Sequence, residues 1–181
     1  MPTTLPNRPG DVNRFAARYR AAKCFRKAEF DSLTHDTADG YGALCHLLLA
    51  YSAFEFFLRA IGTDLKATSR LRTDTERDRV QDRLRGLPGH REVLNTVRAH
   101  VENRFQRQID SHLAGLSSNP FYLAAAIRHS FAHGFLTATP EGVPARSVAT
   151  TSRYLVTVLF RVIDREFERR MTDFERMLSG E

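Results

Sequence analysis

Cysteine, lysine and helix breakers are all scarce in this chain of 181 residues, and each shortage removes a class of protein. Two cysteines, Cys24 and Cys45, cannot build the disulfide framework of a small secreted domain. They also fall short of a cysteine-based zinc site, which takes about four soft ligands. With 10 glycines and 7 prolines the composition is neither collagen-like nor low-complexity. The first ten residues, MPTTLPNRPG, hold no apolar stretch of the kind a secretory signal uses, so a cytoplasmic protein is expected. What remains is a soluble protein of one-domain size, 42% hydrophobic and 27% charged, with enough apolar surface for a real core.

The shortage of lysine is the more telling one. Of 27 basic residues, all but Lys23, Lys27 and Lys66 are arginine, against 21 acidic residues, for a net charge of +6. Guanidinium forks match phosphate oxygens, which points toward anionic partners. The surplus is also uneven. Residues 1–30 carry seven basic and two acidic side chains, and residues 65–107 carry eleven and six, while residues 31–64 are acidic and residues 108–181 balance. Two concentrated basic stretches favour a nucleic-acid footprint over a diffuse compositional bias.

Periodicity predicts an all-α fold, an up-and-down bundle of about five to six helices. Residues 1–10 are expected as a flexible tail and residues 11–181 as a single domain. A first helix begins near Asp11, with Val12, Phe15, Tyr19 and Ala22 at helical spacing, and ends around Phe30–Thr34. A second runs from about Gly40 to Ile61, capped by Thr37 or Asp39 and stopped by Gly62. Its segment ALCHLLLAYSAFEFFL, Ala43–Leu58, has one charge, Glu55. That segment is shorter than the roughly 18–20 apolar residues of a membrane span and carries a carboxylate, so it reads as the buried central helix, with no membrane partner. A third helix covers about Thr73–Arg85, closed by Gly86-Leu87-Pro88-Gly89. A fourth covers about His90–Leu113, with Val93, Val97, Val101, Phe105 and Ile109 every four residues. Asn119 as cap and Pro120 at the first position start a fifth, which Gly134 ends. The last helix, about Ser147–Leu178, has a near-heptad stripe of Val156, Phe160, Ile163, Phe167, Met171, Phe174 and Leu178. At about 48 Å it outruns a domain of this size.

Two features carry chemistry. A carboxylate at Glu55 between Phe54, Phe56 and Phe57 is costly to bury unless paired, so a cationic or strong donor partner is expected elsewhere, with Arg128 the choice; the alternative is that Glu55 points out of a less-buried edge. The second feature is Arg128-His129-Ser130-Phe131-Ala132-His133. Arginine with two histidines is a set sufficient for metal-free RNA cleavage: a histidine moves the proton of the 2′-hydroxyl or of the leaving 5′-oxygen, and the arginine holds the phosphate. Arginine followed five residues later by histidine occurs three times. Arg85…His90 spans Gly-Leu-Pro-Gly, and of the three only Arg128…His133 lies in an otherwise apolar helix. Two other readings stay open. His133 is also suited to the negative end of a helix dipole, and His129 with His133 has the spacing of a metal pair, although no third ligand is visible. His46, His100 and His112 read as ordinary helix residues, and no metal or cofactor is expected.

Arg128, the polar His129 after it and His133 fit the arginine–polar–three residues–histidine motif of the HEPN family, which this chain resembles. AYSAFEFFLRAIG, Ala50–Gly62, resembles that family's hydrophobic helix with an embedded glutamate, and IRHSFAHGFLTA followed by a long helix with VIDREFERR looks like an uncharacterised prokaryotic branch of it. The resemblance implies a helical domain that forms a homodimer and brings two motifs into one cleft. It implies a metal-independent endoribonuclease acting on RNA, with Arg128 and His133 catalytic and His129 positioning, in a toxin–antitoxin or anti-phage setting with an antitoxin protein as partner. A non-catalytic module of the same fold, binding RNA, a nucleotide or a protein, is the alternative. On a regular helix Arg128 and His133 stand about 140° apart and His129 and His133 about 40° apart. The arginine must therefore reach round, the helix end must distort, or two chains must share a cleft.

Overall fold

The computed structural model describes residues 9–71 and 73–179; of the tail expected over residues 1–10, residues 1–8 lie outside them, and Pro9 and Gly10 instead form the start of the first helix. Among the described residues the fold is all-α: helices α1 (Pro9–Cys24), α2 (His35–Ala60), α3 (Asp74–Arg85), α4 (His90–Arg98), α5 (Asn103–Leu113), α6 (Pro120–Ala132) and α7 (Ala145–Ser179), with a 3-10 turn at Lys66–Leu71. Helix α2 is the centre, packed most heavily against α7 and α1 and next against α6. Leu44, Leu47, Ala50, Phe54 and Phe57 of α2 are buried, and the Phe54 ring stacks on Phe121 of α6 at 4.8 Å. The helix is capped by Thr34, whose hydroxyl accepts from the Thr37 amide, and stopped at Gly62, which has φ +67°. At 26 residues it is long and apolar enough to cross a membrane, and half of its most apolar window is buried among the other helices.

Three further boundaries differ from the sequence reading. Helix α2 starts at His35, not near Gly40, and its cap is Thr34, not Thr37 or Asp39, because the Thr34 hydroxyl takes the Thr37 amide and so opens the helix more than a turn earlier. Helix α1 ends at Cys24, not near Phe30, because tertiary contacts take over its last turn. His46 of α2 donates to the Ala22 carbonyl at 3.1 Å, and the chain then runs extended beside α2, with Phe25 against His46 and Phe30 against Tyr41. The expected fourth helix is two, α4 and α5, which is why seven helices stand where five to six were expected. The turn at residues 99–102 folds α5 back: Glu102 takes an extended ψ of 155°, Gln106 donates to the carbonyls of Arg98 and Val101, and Arg98 pairs with Asp110 at 2.5 Å. Val93, Val97, Val101, Phe105 and Ile109 are all buried even so. The every-four spacing therefore reported the inner face correctly and concealed the bend.

The other starts and stops follow local chemistry. Thr73 and Glu76 form a reciprocal capping box at α3. Asn119 accepts from the Phe121 amide at 3.0 Å ahead of Pro120, and Gly134, with φ +76°, ends α6. Gly89 opens α4 at φ +70° with Ser147 of α7 so close that an added Cβ would lie 2.1 Å from its Oγ, which makes glycine obligatory on two counts. Helix α7, 35 residues and about 52 Å long, buries Val156 and Ile163 but leaves Phe167 52% and Met171 42% exposed, so its stripe does outrun the core. The side chains of Phe174 and Leu178 lie outside the described ones.

Candidate functional site

The fifth helix of the sequence reading, α6, is buried through Ile127 and surfaces at its end. Arg128 and His129 are half-buried, and Ser130 is fully buried. His133 is the C-cap, with φ −97° and ψ 6°, and is exposed. Arg128 and His129 open into a groove of about 310 Å³ between α2, α5 and α6, together with Glu55, Arg59, Arg104 and Phe105. His133 stands outside the groove but touches it through His129, the two rings lying 4.3 Å apart. The groove therefore unites Arg128, His129 and Glu55, and His129 links them to His133. Arg128 reaches toward α2 while His129 faces Phe105 of α5, so the two neighbours serve opposite walls. Among the described residues no third metal-ligating side chain joins His129 and His133.

Glu55 and Arg128 do pair, at 3.7 Å, but not as a buried pair: their side chains are 38% and 32% exposed. Phe54 and Phe57 point inward and Phe56 is covered by the guanidiniums of Arg18 and Arg59, so the glutamate escapes to the groove between them. The buried carboxylate is instead Glu166 on α7, 7% exposed. Burial pushes that carboxyl up, and the hydrogen bonds of Arg169 and Arg170 outweigh it and hold the group below its ordinary range. The cost of losing Glu55 is accordingly small. Glu55→Gln is expected to change the unfolding free energy by about 1 kcal/mol or less in a urea titration, not the several expected of a buried pair. A loss of several kcal/mol would show that solvent does not screen it.

At 3.7 Å the Glu55 contact is longer than a hydrogen bond, and the buried Nε of Arg128 has no partner among the described residues. Donors left short in a groove are ready to take an anion. Tyr51 closes the floor. Burial first, then the neighbouring Glu55 charge, pushes its hydroxyl well up, so it enters the groove as a neutral donor.

The histidines of the other two arginine–histidine spacings meet in one cluster with a different role. His90 and His112 meet edge to face at 5.6 Å, 8% and 1% exposed, and Arg85 donates to the carbonyl of His112. These histidines knit α3, α4 and α5 together, and His133 is left as the exposed one of the three. Sequence reasoning missed Arg59 and Arg104, which line the groove. Arg59, one helical turn after Glu55, offered a signal, while Arg104 reaches the groove only because α5 folds back. No protein-family model, curated protein or solved structure matches the chain.

Proposed function

We propose that this protein is an HEPN-like, metal-independent endoribonuclease whose site is Arg128, His129 and His133. The observation that carries the reading is the under-satisfied guanidinium of Arg128 in a groove beside two histidine rings in contact. Arg128 receives the scissile phosphate, with Arg59 and Arg104 adding charge along the groove. The 2′-oxygen attacks phosphorus as its proton passes to a base. The bond to the 5′-oxygen breaks as that oxygen takes a proton, leaving 2′,3′-cyclic phosphate and 5′-hydroxyl ends. His133, exposed at the helix cap, exchanges the proton with solvent, and His129 orients it. Cleavage of single-stranded RNA in excess EDTA, with cyclic phosphate ends on the products, is the test. RNA binding with no cleavage, weakening steeply as salt rises, would replace this reading with the binding module.

The same reading includes a homodimer, with α6 and the exposed stripe of α7 near the two-fold axis. A lone site holds one arginine and two histidines, and a second copy doubles it. Phe167, Met171 and Met177 are exposed along α7, and a groove of about 510 Å³ runs between Phe167 and Phe15 of α1. Among the described residues, the part of the stripe near Phe160 folds against α1, through Tyr19 and the pairing of Tyr19 and Lys23 with Asp164. Light scattering is expected to give twice the 20.6 kDa chain mass. A monomer that still cleaves RNA would remove both the dimer and the shared cleft.

A further inference from the structure

We propose that the paired rings of His100 and Phe135 form a stacking platform for the unpaired bases of single-stranded RNA, beside the site proposed above. The two rings lie 5.1 Å apart and 6° from parallel. Phe135 is 52% exposed, and His100 is exposed as well, so neither serves the core. They come from separate elements: the turn between α4 and α5 carries His100, and the residue after Gly134 is Phe135. Both are held. The Phe135 amide donates to the Ser130 carbonyl at 2.8 Å, Leu136 beside it is 2% exposed, and Gln106 closes the α4–α5 turn onto the Arg98 and Val101 carbonyls.

From this plate the rings continue toward the groove. Phe135 faces His133 at 6.5 Å, His133 touches His129 at 4.3 Å, and His129 faces Phe105 at 6.3 Å, over which the Arg104 guanidinium lies. A row of rings with guanidiniums at one end is the arrangement that holds single strands, because every base has a face to stack and every phosphate a charge to meet. In a duplex those faces are already stacked on their neighbours, so the platform selects unpaired RNA. A platform next to His133 would place the nucleotide flanking the scissile phosphate.

The proposal rests on the nuclease reading for the choice of ligand, and binding tests it without cleavage. The probe is a labelled 2′-O-methyl oligoadenylate strand, which lacks the attacking hydroxyl, with an abasic strand of equal length as control. Phe135→Ala in the full chain is expected to weaken binding of the oligoadenylate about tenfold or more and to leave the abasic strand unaffected. Phe135→Tyr should retain binding and Phe135→Leu should not, which separates a ring from mere bulk. Equal loss for both strands, no loss at all, or tighter binding of a duplex would overturn the platform. So would self-association abolished by Phe135→Ala with strand binding intact, which would assign the ring to a protein interface. Ring-dependent binding by a wild-type chain that never cleaves supports the platform and removes the nuclease.

Discussion

His133→Ala and Arg128→Ala are each expected to abolish cleavage of RNA while the helical fold survives. Removing a group that transfers a proton costs roughly 10²–10⁴ in rate, and removing a cation that stabilises the transition state costs on the order of 10²–10³. Both changes are safe for the fold. His133 lies outside the helix as its exposed cap, and Arg128 is 32% exposed, with its one ion pair screened by solvent. Arg128→Lys is expected to recover little, because a single ammonium cannot reproduce a fork. His129→Ala should act less severely than either, since on the proposed reading the ring 4.3 Å from His133 only positions it. Single-turnover cleavage in EDTA, with circular dichroism as the control for fold, measures all four. Full activity in either alanine variant would end the assignment.

Acid is expected to unfold the protein through its other histidine cluster. His112 is 1% exposed; among the described residues its buried Nε2 has no hydrogen-bond partner, and its Nδ1 meets Ser118 at 3.4 Å. Burial first, then the charges of Arg85, His90 and Arg91, pulls its pKa from the ordinary 6.5 down to about 4. His90 is displaced in the same direction, by burial first. The folded state thus binds fewer protons than the unfolded one. The stability that depends on a neutral His112 is full above pH 6.5 and lost as pH falls toward 4. The loss amounts to about 3 kcal/mol for His112, the charge of His90 included. His112→Phe keeps a ring of similar size and removes the proton site, so its stability should fall less between about pH 7 and about pH 4.5 in urea titrations. Equal acid slopes in the two proteins would show that His112 titrates as it does in the unfolded chain.

How much of this was legible beforehand depends on whether the signal is local. Asn119-Pro120 and Gly134 bracketed α6 within a residue, and Thr73 marked α3, because caps and stops act through the backbone of their own turn. Ala43–Leu58 announced the central helix by composition alone. The spacing from Val93 to Ile109 identified five buried side chains and hid a bend, because a hairpin of two helices can turn the same residues inward as one straight helix does. Glu55 was paired as expected with Arg128 but stayed near solvent. Its three aromatic neighbours point to different sides of the helix, and only a neighbouring element decides which side is covered.

The amino-acid pattern by itself determined an all-α chain built on α2, the limits of α6, and the order Arg128, His129, His133 along its end. Those depend on propensity, capping and periodicity, which a chain expresses wherever it lies. The tertiary structure alone decided that the same arginine–histidine spacing yields a buried knot at His90 and His112 and an exposed ring at His133. It alone brought Arg104 into the groove and His100 onto Phe135. Exposure and contact between distant segments depend on which helices pack together, and a one-dimensional spacing holds no information about what covers it.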